Sequence, residues 1–251
     1  MIAGRTALVT GAGKGLGRAI ALRLAEEGVR VVLTGRDESK LDAVAAEIGT
    51  NALVVGVDVR SPSSVAVLSS ALRTEEISIL INNAAIPGPV APLWDINPDE
   101  WDEVFAVNVK GVFLMCRAFA PAMIERGFGD IVNIASVSGK RPLARRTPYT
   151  ASKTALYGLT TTLAHELGAH GVRVNTLSPG PVEGPRMERN FRLEAERTGS
   201  TPEDAEREFV GRSAMGRMVT EAEVAQACFA MLTLHGMTGA DIDLSAGMIG
   251  R

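Results

Sequence analysis

Residues 6–28, TALVTGAGKGLGRAIALRLAEEG, contain an apolar run, a glycine-rich turn and an amphipathic segment in direct succession. The run from Thr6 to Thr10 has the composition of a buried β-strand. Gly11 ends that run, and the apolar residues after Arg18 recur with helical spacing until Gly28, a typical helix stop. The stretch therefore predicts a β-strand joined to an α-helix by a glycine-rich loop.

The alternation of apolar runs and helical segments continues along the chain. Further apolar runs lie at 29–33, 52–57, 77–81, 131–135, 172–177 and 241–244, and helical patterns separate them. Near-continuous apolar runs are typical of strands that are buried on both faces. Strands alternating with helices indicate repeated βαβ units. We predict a single α/β domain over residues 1–251, built on a doubly wound parallel sheet flanked by helices.

Residues 181–216 interrupt this alternation with prolines and dense charge. The alternation resumes with a helical pattern at 221–234, which argues against a domain boundary. Because a connection of this length inside one domain is usually functional, we predict a substrate-binding loop or lid at about 181–216.

Composition argues against several classes of protein. The net charge of −3 provides no basic surface for nucleic acid. Cys116 and Cys228 stand singly in apolar surroundings, which predicts buried thiols rather than a disulfide or a metal site. The N-terminus lacks the apolar core of a signal peptide, and no apolar run approaches the roughly 18 residues of a spanning helix. We expect a cytoplasmic protein that binds no nucleic acid, membrane or metal.

The glycine-rich loop has the context of a phosphate-binding turn. It opens a helix, whose first amide groups and dipole attract a pyrophosphate, and glycine lets the backbone approach the ligand. The glycines at 11, 15 and 17 depart from the general G-x-G-x-x-G spacing. A purely structural turn is the alternative, but a position at the first βα junction of a doubly wound sheet favours a dinucleotide cofactor.

The end of the second strand distinguishes between cofactors. An acidic residue there suits the ribose 2′-hydroxyl of NAD(H), whereas arginine suits the 2′-phosphate of NADP(H). The chain has Arg36 at this position and Lys14 as a second cation. Asp37 precedes a helical pattern and is better suited to a helix N-cap. We predict a preference for NADP(H); NAD(H) is the alternative if both cations are merely solvated.

A second stretch, residues 134–153 (IASVSGKRPLARRTPYTASK), contains groups that could protonate a carbonyl oxygen. Tyr149 and Lys153 lie four residues apart in a helical segment and therefore share one helix face. An ammonium group favours the phenolate of a neighbouring tyrosine and lowers its pKa. Ser136 follows an apolar run and adds a hydroxyl group, although by itself it would be read as a turn residue.

These motifs together resemble the short-chain dehydrogenase/reductase family over essentially the whole chain. The resemblance rests on the order and spacing of Thr10, Gly11, Gly15, Gly17, Asn82–Ala85, Asn108, Ser136, Tyr149, Lys153 and Pro179–Gly180. It implies one Rossmann-type domain with a seven-stranded parallel sheet. It also implies an enzyme that transfers hydride between nicotinamide C4 and a carbonyl or secondary alcohol of a small substrate.

The resemblance implies the catalytic roles. Tyr149 would be the general acid/base, and Lys153 would lower its pKa and bind the nicotinamide ribose. Ser136 would hydrogen-bond the substrate oxygen and stabilise its developing charge. Asn108 would hold a water that connects Lys153 to solvent; by itself it would be read as a polar residue inside a helix.

The resemblance also implies a cofactor-binding set. Its members are Gly11, Gly13, Lys14, Gly15, Leu16, Gly17, Arg36, Asp58, Val59, Asn82, Ala84, Tyr149, Lys153, Pro179, Gly180 and Val182. Asp58 would bind the adenine with Val59 beside the ring, and the backbone of Val182 would bind the nicotinamide carboxamide. The family commonly has threonine two residues after Val182, where this chain has Gly184, which argues against a hydroxyl contact there.

The expected substrate pocket is rich in positive charge. The segments 86–93, 137–146 and 181–216 should form it, and they carry Lys140, Arg141, Arg145, Arg146, Arg186 and Arg189. Guanidinium groups pair bidentately with carboxylate or phosphate, so one or two of these side chains are candidates for binding an anionic substrate. Solvated or subunit-interface charges are the alternative. The sequence leaves the substrate and the physiological direction open.

Two further expectations concern assembly and function class. The helical segments 101–123 and 149–167 are hydrophobic on more than one face, and in the family such helices commonly form a homodimer, often doubled to a homotetramer. A non-catalytic nucleotide sensor on the same fold is the alternative to an enzyme. The set of Ser136, Tyr149 and Lys153 argues against a sensor, which has no need of a tuned phenol.

Overall fold

The computed structural model describes residues 2–249, which share one seven-stranded parallel sheet. The strand order is β3-β2-β1-β4-β5-β6-β7, and each neighbouring pair is parallel. The strands are β1 Thr6–Thr10, β2 Arg30–Gly35, β3 Ala52–Gly56, β4 Ile77–Asn82, β5 Gly129–Ile134, β6 Val172–Pro179 and β7 Asp241–Leu244. The predicted α/β class and doubly wound parallel sheet are confirmed.

Helices cover both faces of the sheet. They are α1 Gly15–Glu26, α2 Glu38–Ile48, α3 Pro62–Ala71, α4 Pro98–Phe105, α5 Gly111–Arg126, α6 Thr147–Gly168, α7 Pro185–Thr198, α8 Pro202–Val210 and α9 Glu221–Thr233. Residues of α1, α2 and α9 form the core on one face, and residues of α3, α5 and α6 form the core on the other.

Neighbouring residues of the central strands belong to opposite cores. In β1, Ala7 and Val9 pack with the helices of one face, whereas Leu8 packs with those of the other. In β4, Ile79 and Leu80 divide in the same way. Because both faces are covered, both sets of side chains must be apolar. This explains why the strands appear in the sequence as continuous apolar runs.

The strand order places a crevice at the centre of the molecule. The chain begins with β1, builds outward to β3, and then returns to lay β4 on the other side of β1. The loops after β1 and β4 therefore leave the sheet in opposite directions. At such a switch point, the carboxyl ends of the strands border an open space that is suited to a ligand.

The segment predicted as a substrate loop or lid contains two helices, α7 and α8. Phe191, Ala205 and Met218 form a small apolar cluster between them, and the rings of Phe191 and Phe209 meet edge to face at 5.7 Å. This cluster is distinct from the two cores that flank the sheet. The segment is therefore a covering element with its own local packing.

The helices α4 and α5 form one continuous helix, Pro98–Arg126, with a π-helical turn at Ala106–Lys110. An 18-residue window of it has a mean hydropathy of 1.4, so by length and composition this helix could span a membrane, although charged residues such as Lys110 and Arg117 interrupt its apolar runs. In the structure, 56% of that window is buried, and Met115 and Met123 lie in the core beneath the sheet. Burial against the sheet accounts for the apolar composition.

A buried ion-pair cluster joins β5 to two other parts of the chain. Asp130, whose side chain is 7% exposed, contacts Arg5 Nη1 at 2.6 Å and Arg173 Nη2 at 2.5 Å. Removing one member of a buried ion pair is costly because it leaves the partner charge desolvated.

We expect Asp130→Ala to lower the free energy of unfolding by about 3–5 kcal/mol, because it leaves two largely buried guanidinium groups without their carboxylate. Urea denaturation measures the change. Glu26→Ala is the control, since Glu26 is 69% exposed and lies 3.7 Å from Arg23, and surface pairs of this kind contribute little. An equally small effect in both variants would contradict the structural role of Asp130.

Candidate active site

A large cavity runs along the carboxyl ends of the strands. Its volume is about 2140 Å³, and its walls come from the loops after β1 to β6 and from α7 and α8. All of the predicted catalytic and cofactor-binding residues line it except Asn82 and Asn108.

The glycine-rich loop is shaped by close backbone contacts. Gly11 and Gly15 have φ angles of 67° and 57°, in the left-handed region that glycine readily adopts. A Cβ atom at Gly17 would lie 2.2 Å from the carbonyl oxygen of Gly11, so a side chain cannot be accommodated there. The glycine spacing thus follows from the tight turn and from the packing of α1 against it.

The N-terminus of α1 faces the cavity without a side-chain cap. Its N-cap residue, Lys14, makes no capping hydrogen bond, and the first turn carries no acidic residue. The first amide groups of a helix need partners from outside the helix, and a phosphate is favoured by both these donors and the helix dipole. The loop and the helix start therefore fit a pyrophosphate group.

The ends of β1 and β4 are joined beneath this loop. Thr10 Oγ1 accepts hydrogen bonds from the amides of Asn83 and Ala84 at 2.9 and 3.0 Å. Asn83 Nδ2 donates to the carbonyl oxygen of Thr10 at 2.9 Å. These bonds hold the switch point at a fixed width, with Ala84 in the cavity wall.

Cations border the cavity beyond β2. Arg36 and Lys14 are both exposed and line the cavity. Asp37 caps α2 by accepting a hydrogen bond from the Lys40 amide, as predicted, and also pairs with the Lys40 side chain. Hydrogen bonds from Lys40 and Ser39 lower the pKa of Asp37 to about 2. The competing carboxylate is therefore engaged within α2, while Arg36 faces the cavity.

Asp58 follows β3, where an adenine contact was predicted. Its carboxylate accepts a hydrogen bond from Arg60 Nη2 at 2.7 Å, and that hydrogen bond and the charge of Arg60 lower the pKa of Asp58. Arg60 also lines the cavity. Sequence reasoning missed Arg60, although an arginine two residues after a carboxylate is a recognisable local signal.

Ser136, Tyr149 and Lys153 come together in the cavity wall where β5 meets α6. Tyr149 and Lys153 are 7% and 3% exposed, and the Ser136 side chain is close enough to the Tyr149 hydroxyl to lower its pKa. Lys153 Nζ donates to the carbonyl oxygen of Ile134 at 2.6 Å and lies 5.9 Å from the centre of the Tyr149 ring. The predicted sharing of one helix face is what brings the phenol and the ammonium together.

The pKa of Tyr149 is lowered although the phenol is buried. Burial raises this pKa, but the Arg186 guanidinium and the Lys153 ammonium favour the phenolate, and hydrogen bonds from Arg186 and Ser136 add to their effect; the pKa is about 8. The Cζ atom of Arg186 lies 4.9 Å from the ring centre. The contribution of Lys153 was predicted, whereas that of Arg186 depends on α7 folding over the start of α6.

Asn108 lies behind these three residues, in the π-helical turn, an irregularity that is frequent at functional sites. Its Oδ1 accepts from the Ile86 amide at 2.8 Å, and its Nδ2 donates to Ser152 Oγ at 3.0 Å. Ser152 Oγ donates in turn to the carbonyl oxygen of Tyr149 at 2.8 Å. Asn108 thus braces the loop after β4 against the turn that carries Tyr149. The water predicted beside it stays a prediction.

Asn82 also lies away from the cavity, in the core at the end of β4. Its Nδ2 donates to Asn133 Oδ1 at 2.9 Å, and Asn133 Nδ2 donates to Thr160 Oγ1 at 2.9 Å. This chain of bonds links β4, β5 and α6. The structure therefore gives Asn82 a role in joining these elements and does not place it in the wall of the predicted cofactor site.

Pro179, Gly180 and Val182 lie where the chain leaves β6 and enters the lid. Val182 forms an isolated bridge with Val219 that uses the carbonyl oxygen of Pro181 and the amide of Glu183. The bridge therefore does not consume the backbone groups of Val182 itself, which suits the predicted carboxamide contact.

Gly184 departs from the family pattern for a conformational reason. It is the N-cap residue of α7 and has a φ angle of 130°. Residues with a Cβ atom rarely adopt this conformation, so threonine would strain the start of α7. The chain therefore has a glycine that turns the backbone into the lid where the family commonly has a hydroxyl group.

Tyr157 was missed by sequence reasoning. Its hydroxyl donates to the carbonyl oxygen of Ser136 at 2.6 Å and fixes the backbone that carries the Ser136 hydroxyl. Burial raises the pKa of Tyr157 to about 12 against the hydrogen bond with Ser178, so the hydroxyl remains a donor. The available signal was its position on α6, one further step of four residues beyond Lys153.

The basic residues predicted for the substrate pocket separate into two groups. Lys140 pairs with Asp241 and Asp243 and so joins the turn after β5 to β7. The arginines line the cavity: Arg141, Arg145, Arg146, Arg186 and Arg189.

Known proteins resemble this chain in both sequence and structure. Residues 5–196 match the sequence profile of a family described as short chain dehydrogenase. The chain is 38% identical over 188 residues to the 2-dehydro-3-deoxy-L-rhamnonate dehydrogenase (NAD(+)) of Sphingomonas sp. (strain SKA58), a match that covers 74% of this chain and 75% of the relative.

Two solved structures show the same architecture. An NAD⁺-bound xylitol dehydrogenase superposes with a TM-score of 0.92 and 32% identity, over 98% of this chain and 99% of that chain. A variant of the actinorhodin polyketide ketoreductase with NADPH superposes with a TM-score of 0.92 and 33% identity, over 97% of each chain.

The two tyrosines of the chain should titrate far apart. As the pH rises, we expect one tyrosinate to form near pH 8, because cations surround the Tyr149 hydroxyl, and the other near pH 12, because Tyr157 is buried. Ultraviolet difference absorbance of the folded protein follows both steps. Tyr149→Phe should remove the first step only; a single step near the ordinary pKa of about 10 would contradict the site geometry.

Proposed function

Because the chain belongs to the short chain dehydrogenase family of oxidoreductases, we propose that it is NADP(H)-dependent and interconverts a carbonyl and a secondary alcohol on a small substrate. The observation that carries the proposal is the buried phenol of Tyr149, which has the cations of Lys153 and Arg186 beside its ring. Both cations and Ser136 lower the pKa of its hydroxyl. Such a group can exchange a proton with a substrate oxygen near neutral pH.

In the reducing direction, a bound nicotinamide would supply the hydride that adds to the carbonyl carbon of the substrate. Tyr149 donates its hydroxyl proton to the carbonyl oxygen, which becomes the alcohol, and is left as a phenolate. Lys153 and Arg186 stabilise that phenolate, and Ser136 donates a hydrogen bond to the substrate oxygen as negative charge develops there. In the oxidising direction, the phenolate of Tyr149 removes the alcohol proton.

Lys153 is positioned to serve two partners. An ammonium group has three N–H donors, and one of them is used by the carbonyl oxygen of Ile134 at 2.6 Å. The others are available to the nicotinamide ribose and to the water proposed beside Asn108. Asn108 is fixed by hydrogen bonds to Ile86 and Ser152. It would therefore keep this water, and the proton transfer through it, close to Lys153 and Tyr149.

The residues that line the cavity fit a dinucleotide. The uncapped start of α1 and the glycine-rich loop would hold the pyrophosphate, Asp58 and Val59 the adenine, and the backbone of Val182 the carboxamide. Beyond β2, Arg36 and Lys14 would bind the 2′-phosphate of NADP(H), since both are exposed in the cavity and Asp37 is engaged with Lys40.

We expect Arg36→Asp to reverse the cofactor preference, because it replaces a phosphate-binding cation with a carboxylate that suits a ribose hydroxyl. The ratio of kcat/KM for NADPH to that for NADH, followed by absorbance of the reduced nicotinamide, should fall by about a hundredfold. Arg192→Gln, a charge change on α7 outside the cavity lining, should leave the ratio unchanged. A wild-type protein that prefers NADH would contradict the NADP(H) proposal.

We expect Tyr149→Phe to lower kcat by about 10²–10⁴-fold, the usual contribution of a positioned acid or base, while cofactor affinity measured by fluorescence is retained. The same variant tests the alternative of a non-catalytic nucleotide sensor, which would lose nothing. Turnover of a genuine substrate at the wild-type rate would exclude Tyr149 as the acid/base.

An NAD(H)-dependent alcohol, polyol or sugar dehydrogenase is the second candidate. The names of two similar proteins favour it, because the xylitol dehydrogenase is NAD⁺-bound and the 2-dehydro-3-deoxy-L-rhamnonate dehydrogenase is described with NAD(+). The similarity to a ketoreductase with NADPH supports the first candidate equally. The charge at Arg36 and Lys14 is what favours NADP(H) here.

We also propose that the protein is cytoplasmic and forms a homodimer or homotetramer through α5 and α6. Phe113 on α5 is 48% exposed, and its burial between subunits would remove apolar surface from water. A monomer in light scattering at micromolar concentration would contradict this assembly.

A further inference from the structure

The substrate side of the cavity holds more cations than its acidic residues neutralise. Arg197 pairs with Glu194, and Arg212 pairs with Glu208. The remaining guanidinium groups form no ion pair within residues 2–249, and the other two acidic side chains on this side, at 183 and 196, pair with none of them. These guanidinium groups belong to Arg141, Arg145, Arg146, Arg186 and Arg189.

Arg146 is the most deeply placed of these cations. It is 9% exposed, and its hydrogen bonds go to neutral acceptors, Asn190 Oδ1 at 2.6 Å and the carbonyl oxygen of Pro87 at 3.3 Å. Burial and the nearby charges of Arg186 and Arg189 lower its pKa. A buried charge beside like charges is costly unless an anion accompanies it.

The turn before Arg146 directs it into the cavity at a conformational cost. Arg145 has a φ angle of 64°, which is unfavourable for a residue with a side chain, and its carbonyl oxygen accepts from the Ala91 amide at 3.1 Å. Arg145 therefore remains at the surface while its neighbour is buried. Backbone strain of this kind is concentrated at functional sites.

Arg141 adds a second unsatisfied group on the same side. Its Nε atom is buried and has no hydrogen-bond partner among residues 2–249, and burial together with the charge of Arg212 lowers its pKa. An unpaired buried donor also favours a ligand that can accept a hydrogen bond.

The position of Arg186 relates this charge to the reacting atoms. Its guanidinium group lies over the Tyr149 ring, with Cζ 4.9 Å from the ring centre, and its charge favours the phenolate. A substrate oxygen that accepts the Tyr149 proton must therefore approach within reach of the same guanidinium group. An anionic group paired with Arg186 and Arg146 would be attached close to the reacting carbon.

We propose that the substrate is an anionic carbonyl compound or the matching alcohol, in which a carboxylate or phosphate near the reacting carbon is bound by Arg146 and Arg186. Both anions match the planar donor pattern of guanidinium. The inference deepens the proposed function and rests on it. Because Arg186 belongs to α7, binding of the anion would also hold the lid over Tyr149.

Matched substrate pairs test the proposal with cofactor at saturation. Each pair shares a carbonyl group and differs in charge: acetoacetate and acetoacetamide, α-ketobutyrate and its amide, and dihydroxyacetone phosphate and dihydroxyacetone. We expect kcat/KM in at least one pair to favour the anion by about a hundredfold, the scale of a buried charge pair. Preference in the carboxylate pairs or in the phosphate pair identifies the anion.

Arg146→Gln and Arg186→Gln should each reduce this ratio by at least about tenfold, and Arg192→Gln, a loss of the same charge on α7, should leave it unchanged. The ratio within a pair cancels any effect on Tyr149 that is common to both substrates. Arg186 is exposed, so its replacement keeps the test valid even if Arg146→Gln folds poorly. A wild-type ratio near one, or a ratio that survives both substitutions, would overturn the proposal.

If none of these compounds is turned over, direct binding decides. Calorimetric titration of the NADPH-loaded protein with malonate and with inorganic phosphate should show binding that weakens at least tenfold in Arg186→Gln, and the absence of binding by both anions would overturn the proposal. The proposed function is tested independently of the substrate charge. It is supported if a neutral carbonyl compound is turned over and Tyr149→Phe abolishes that turnover, even when no anion is preferred.

Discussion

The parallel pairing of β1 with β2 on one side and with β4 on the other is the constraint on which the rest of the structure depends. Parallel strands present all of their carboxyl ends at one edge, and the reversal of strand order beside β1 opens a crevice there. The hydrogen bonds from Asn83 and Ala84 to Thr10 hold that crevice at its base. Three parts of the site meet at this edge because each follows the carboxyl end of a central strand. They are the glycine-rich loop, the end of β5 and the start of α6.

Burial at this edge has opposite effects on the charged groups it contains. For the Tyr149 phenol, burial opposes ionisation, and two cations and two hydrogen bonds more than offset it. Arg146 is also buried, but its hydrogen bonds go to neutral oxygen atoms, and burial and the charges of Arg186 and Arg189 outweigh the favourable effect of Tyr149 on its charge. The protein itself supplies the cations that stabilise the Tyr149 phenolate, whereas an anion from outside the protein is proposed to stabilise the Arg146 cation. This contrast connects the proposed acid/base chemistry to the proposed substrate charge.

The lid joins these two parts of the site. Arg186, Arg189 and Asn190 all lie on α7, which begins at the glycine with a φ angle of 130°. A backbone conformation that residues with a Cβ atom rarely adopt thus lies where α7 starts, and α7 carries the side chains that reach Tyr149 and Arg146. The lid has a small apolar core of its own, formed by Phe191, Ala205 and Met218, which is separate from the two cores that flank the sheet.

Local and periodic features were predictable from the sequence by itself. The continuous apolar runs indicated doubly covered strands, the glycines indicated the tight turn before α1, and a spacing of four placed Tyr149 and Lys153 on one helix face. The bounds of the lid helices and the burial of the long helix through α5 were not predictable, because they depend on packing between elements.

The hydrogen-bond partners of individual side chains were not predictable either. Asn82 bonds to Asn133 on the neighbouring strand, and Tyr157 donates to the carbonyl oxygen of Ser136. The tertiary structure alone decided which arginines form ion pairs and which contact only neutral atoms. The charge balance of a cavity depends on side chains that are distant from one another in the sequence.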